Sequence, residues 1–82
     1  MNSTKTAYLY RLTTDSGEFL KWGVTQDMAK RYSLKYMADK KMFEYASGTR
    51  ANMIRMERGL VETQPGRLNL ERWAGARLGG QP

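Results

Sequence analysis

This sequence predicts a small α+β fold, a three-stranded antiparallel sheet flanked by helices, and three observations predict it. A stretch rich in Tyr and Leu (7–13) alternates with period two, meets a Thr14-Asp15-Ser16-Gly17 cluster, and returns as a second extended stretch (18–25). That pattern is the mark of a β-hairpin. Two later stretches (28–39 and 50–63) carry apolar residues at helical spacing. Between them a short apolar-aromatic run (41–47), with Met42, Phe43 and Tyr45, reads as a third strand.

Each element has a local cause. In the first strand Tyr8, Tyr10 and Leu12 share one face, and in the second Lys21, Gly23 and Thr25 do the same. Gly17 suits the turn because it can take a positive φ. Asp27 is the expected N-cap of the first helix, on which Met28, Tyr32 and Tyr36 recur every four residues. Gly48 ends the third strand, Thr49 caps the second helix, and Pro65-Gly66 stops it. The tail (67–77) holds Leu68, Leu70 and Trp73, which are expected to pack back on the sheet. A polar lead-in (1–6) without the apolar stretch of a signal peptide and a Gly-rich end (78–82) are expected to be disordered and frayed.

At 82 residues the chain is expected to form one domain (7–77). It has no cysteine and no histidine, so disulfides and thiolate or imidazole zinc sites are excluded. A bound metal would be a hard cation on oxygen ligands, magnesium, manganese or calcium before zinc. No apolar run long enough for a membrane span is present. Fourteen Lys and Arg against eight Asp and Glu leave a net charge of +6. On so small a body that field attracts polyanions, nucleic acid or an acidic protein.

Glu57 is the sharpest single residue. With Met53, Leu60 and Val61 it falls on one face of the second helix, and a carboxylate in an apolar stripe is costly unless it is paired or binds a metal. A salt bridge to Arg50, Arg55 or Arg58 is the structural alternative. Gly23, inside a strand, lacks a side chain on its face, which would let substrate backbone approach closely there. Trp22 reads as core, and Trp73 as either a tail anchor or a base-stacking platform.

Tyr10, Gly23, Arg31, Glu57 and Asn69, in that order and spacing, resemble the GIY-YIG nuclease superfamily, also called the URI fold. The first motif reads Tyr8-Leu9-Tyr10 in place of Gly-Ile-Tyr, and the second Lys21-Trp22-Gly23 in place of Tyr-Ile-Gly. The likeness runs from about Tyr8 to Trp73. It implies a metal-dependent endonuclease, DNA favoured over RNA, with Mg²⁺ (or Mn²⁺) on Glu57. Arg31, eight residues after Gly23, would steady the charge of the transition state, a contribution of about 3 to 4 kcal/mol in comparable sites. Tyr10, or Tyr8 beside it, would activate water. Lys21 stands where most members carry the second tyrosine; placed opposite Tyr10, it would lower that phenol's pKa or grip phosphate. Thr25 and Lys35 are supporting polar groups, and Asn69 would fix Glu57 or the backbone.

A second resemblance concerns the style of Ser47-Gly48-Thr49-Arg50 through Pro65-Gly66 to Trp73-Ala74-Gly75. It is similar to the small C-terminal toxin domains of bacterial polymorphic toxins of the Rhs and contact-dependent types. This implies interbacterial competition: a monomer delivered as part of a larger secreted toxin into the cytoplasm of a target cell, and an acidic immunity protein in the producer. The alternatives are a catalytically inactive, basic nucleic-acid-binding module on the same fold and a stand-alone housekeeping nuclease.

Overall fold

The computed structural model describes residues 5–70 and 72–75. Five elements follow in order: β1 (Ala7–Thr14), β2 (Phe19–Thr25), α1 (Leu34–Met37), β3 (Lys40–Gly48) and α2 (Arg50–Thr63). The three strands form one antiparallel sheet in the order β2-β1-β3. The α+β class therefore holds. The frayed tail expected at 78–82, and residues 1–4 of the expected lead-in, lie outside the described residues.

The hairpin closes as its sequence requires. Gly17 takes φ 98°, a conformation that side chains disfavour, and its N–H donates to the Thr14 carbonyl at 2.9 Å. The register then slips between Leu12 and Thr13, which face Lys21 and Phe19 and leave Leu20 as the extra residue. This bulge turns Leu20 toward Tyr10 and Leu12. A second slip makes Tyr45 the extra residue of β3, between Glu44 opposite Tyr10 and Ala46 opposite Leu9.

The central strand is covered on both faces. On one, Ala7, Leu9 and Trp22 pack against Met53 and Val61 of α2. On the other, Tyr10, Leu12 and Leu20 pack against Met28, Tyr32, Tyr36, Met37 and Met42. The α2 boundaries match the sequence reading, and the Thr49 hydroxyl accepts the Asn52 N–H at 3.1 Å.

The first helix does not match. In place of a helix over 28–39 there are turns and then four helical residues, capped by Ser33. Asp27 does accept two N–H groups, from Ala29 at 3.1 Å and Lys30 at 3.2 Å, but it closes a turn that does not propagate. The i, i+4 spacing was a packing signal here, because Met28, Tyr32 and Tyr36 all reach the same sheet face. The tail also differs: Leu70 is largely exposed and Leu68 partly so, while Trp73 packs against the α2-side core. Among the described residues of that segment Asn69 is the buried one (5 % exposed).

Candidate active site

Tyr10 and Gly23 are cross-strand partners, and the relationship is steric. The phenol of Tyr10 lies directly over the Gly23 α-carbon, so that a β-carbon there would overlap the Tyr10 hydroxyl and ring. Gly23 thus makes room for a protein side chain, where the sequence suggested room for substrate. Tyr10 itself has no exposed surface, and its hydroxyl shares a 2.7 Å hydrogen bond with that of Tyr32.

Arg31 completes this group. Its guanidinium stands 4.6 Å above the Tyr32 ring and interacts with the Tyr10 hydroxyl. Tyr32 stacks on Tyr36 at 4.6 Å, and the Lys40 ammonium lies 4.1 Å from the Tyr36 ring. A chain of contacts, cation, ring, ring, cation, therefore runs across this face and holds Arg31 to the sheet. Tyr32 is the functional candidate that the sequence reading missed; adjacency to Arg31 was its available signal, but its helical spacing spoke for core.

Burial is the main cause that pushes the Tyr10 phenol well above the ordinary tyrosine range, and the Tyr32 hydroxyl adds to it. Arg31 pulls in the opposite direction without prevailing. The shift runs against the expected base: burial disfavours the phenolate that Tyr10 would need. The expectation for Lys21 changes too, because Lys21 faces Leu12 and it is Gly23 that faces Tyr10.

Beside this buried group lies an open cleft of about 640 Å³ lined by Lys5, Thr6, Tyr8, Thr25, Gln26, Asp27, Lys30 and Arg31. Tyr8 is the motif tyrosine that reaches it, half-buried at the end of β1. Thr25 and Asp27 build the wall: the Thr25 hydroxyl donates to the Asp27 carbonyl at 3.2 Å and accepts its N–H at 3.1 Å. Three cations against one carboxylate make the lining strongly anion-attracting. Lys35 lies outside that lining, exposed on α1.

Glu57 occupies the other layer. It is half-buried on α2 between Met53 and Val61, whose side chains pack on the sheet face opposite Tyr10. Of the three arginines weighed as its partner, Arg58 donates its Nε to Glu62 at 2.9 Å, and Glu62 is the more buried carboxylate (8 % exposed). As a hard oxygen donor Glu57 suits Mg²⁺ in kind, but the sheet separates its helix from Arg31. Among the described residues no group of three or more acidic side chains gathers that could hold a metal ion. At the cleft itself Asp27 is the one carboxylate of the lining.

Asn69 acts on the backbone. Its side-chain carbonyl accepts the Trp22 and Gly66 N–H groups, both at 3.0 Å, and its amide donates to the Trp22 carbonyl at 3.1 Å. Leu68 N–H adds a bond to the Leu20 carbonyl at 2.7 Å, so the Pro65-Gly66 turn is laced to the free edge of β2. Trp22 is core, as expected, and its indole N–H donates to the Gln64 carbonyl at 2.8 Å. Trp73 anchors the tail beneath the Arg58 guanidinium, 4.5 Å from its ring.

No protein-family model matches this chain, and neither a curated protein nor a solved structure matches it. What the molecule itself defines is a small α+β domain with a basic, tyrosine-bordered cleft.

Proposed function

We propose that this domain is a nuclease, hydrolysing phosphodiester bonds in nucleic acid at the cleft beside Arg31, with DNA favoured over RNA by the GIY-YIG resemblance. The observation that carries the reading is the placement of Arg31. Its guanidinium is stacked on Tyr32, and the residue lines the cleft together with Lys5, Lys30 and Tyr8. A fixed planar cation in an anion-attracting cleft is what a phosphorane-like transition state requires. Tyr8 is the phenol positioned to orient an attacking water, and Lys5 and Lys30 hold flanking phosphates. Mg²⁺ on Glu57 enters from the resemblance alone.

Incubating the pure protein with plasmid DNA and with total RNA, with Mg²⁺ and with chelator, tests the reading. Cleavage abolished by Arg31→Ala supports it, and cleavage that survives the chelator removes the metal from it. The likeness to polymorphic-toxin domains extends the proposal to interbacterial competition, with an acidic immunity protein over the Arg31 cleft. Expression of the active, soluble chain without such a partner should then be toxic, and harmless expression counts against the toxin role.

A second reading, a binding module without catalysis, is favoured by two observations: the raised Tyr10 phenol and the position of Glu57 in the opposite layer. Tight binding without cleavage under every metal condition identifies it.

A further inference from the structure

The sheet face away from Arg31 is only partly covered. Helix α2 packs chiefly across β1 and β2 and meets β3, the edge strand opposite β2, more sparingly. Along β3 the side chains of Lys41 and Phe43 project to this α2 side by strand alternation, the bulged Tyr45 joins them through its contact with Trp22, and Glu44 pairs with Tyr10 and projects to the other. Phe43 is 50 % exposed and Tyr45 55 %. Arg11, directly opposite Phe43, adds a cation held 4.7 Å above the Phe19 ring. Tyr45 is braced edge-on against Trp22 at 4.9 Å.

We propose that Lys41, Phe43 and Tyr45, with Arg11, form a second contact surface that takes unpaired nucleotides of a single strand. Two adjacent exposed rings interleaved with cations match what single-stranded nucleic acid presents, π-faces alternating with phosphates. Residues two apart in a strand are about 6.6 Å apart. That is roughly twice the ~3.4 Å step of stacked bases, so a base stack opened by one inserted ring spans the distance. Paired bases offer no free face to these rings, so the surface selects unpaired over duplex substrate. Complementarity of charge favours nucleic acid over a second copy of this chain, because an edge-to-edge pairing of two β3 strands brings two such cationic strips together.

The proposal rests on a nucleic-acid partner, but it is independent of cleavage. The test measures binding of a labelled 12-mer oligothymidylate and of a duplex of equal length, in chelator, to the parent chain and to the Phe43→Ala, Tyr45→Ala, Phe43→Trp and Arg31→Ala variants. Expected are losses of roughly 5- to 150-fold in single-strand affinity for each alanine variant, with duplex affinity unchanged. Phe43→Trp should restore binding, and the oligonucleotide should quench the new indole. Arg31→Ala should weaken both ligands. Unchanged thermal midpoints show that the exposed substitutions leave the fold intact. Equal oligothymidylate affinity in parent and alanine variants overturns the proposal and leaves the nuclease reading standing. A parent that binds neither ligand overturns both. A self-association that Phe43→Ala abolishes, with oligonucleotide binding untouched, assigns the surface to a second copy instead.

Discussion

Tyr10 and Gly23 show how one pair of residues serves packing where a motif suggested chemistry. With the phenol lying over the glycine, Gly23→Ala overpacks the sheet face, at a cost of about 1–3 kcal/mol. Denaturant titration should show that loss, and Tyr10→Phe should relieve only part of it, since ring carbons as well as the hydroxyl crowd that position. The raised Tyr10 phenol makes a separate prediction. A group whose folded pKa lies above its unfolded value, about 10 for tyrosine, contributes stability that is complete below that value and is lost as pH climbs toward the folded pKa. The thermal midpoint should therefore fall above about pH 10, and Tyr10→Phe should flatten that fall. An equal alkaline decline in parent and variant would place the sensitivity elsewhere. Asn69 gives the third test at this scale. Asn69→Ala strips partners from the buried Trp22 and Gly66 N–H groups, and each orphaned group costs about 1–3 kcal/mol, so this variant should be among the least stable of any single substitution outside the core.

At the scale of elements, α2 and α1 explain why one helix was legible and the other was not. Thr49 as cap, the stripe through Met53 and Val61, and the Pro65-Gly66 stop all point the same way, so local and tertiary preferences agree over Arg50–Thr63. The segment before β3 carries an equally regular spacing, Met28, Tyr32, Tyr36, yet folds as turns followed by Leu34–Met37. There the residues satisfy the sheet face without a continuous helix, and a short helix has little cooperativity of its own to impose one. The two bulges were hidden for a related reason: alternation fixes which face a residue prefers, while the extra residues Leu20 and Tyr45 depend on what covers each face. The same limit hid the site. Tyr8, Arg31, Gly23 and Asn69 were singled out by spacing, but whether Lys21 or Gly23 opposes Tyr10, and which layer holds Glu57, are questions of register and packing. Capping should reflect the contrast between the helices. Thr49→Ala should cost about 1 kcal/mol, whereas Ser33→Ala, capping four residues of which none is buried, should cost measurably less in the same denaturant titration.

Over the whole molecule, five of the fourteen Lys and Arg fall on two surfaces with different ways of holding an anion. The cleft presents Lys5, Lys30 and Arg31 beside the half-buried Tyr8, a lining dominated by cations that suits phosphates irrespective of base or pairing. The outer half of the sheet presents Phe43 and Tyr45 between Arg11 and Lys41, which suits bases. Salt separates these modes, because each neutralised phosphate releases counterions while ring stacking does not. Duplex DNA, held at the cleft alone, should show a slope of log affinity against log salt of about −0.9 per phosphate contact, hence roughly −3 for three cations. Removing Lys30 or Arg31 should flatten that slope by about one unit each, uniformly across sequences. Phe43→Ala should leave the slope for a single-stranded oligonucleotide unchanged and lower its whole line. A slope near zero for duplex, or one insensitive to both Lys30→Ala and Arg31→Ala, would show that the cleft is not where the backbone is held, and the proposed nuclease would lose the anchor on which its catalysis depends.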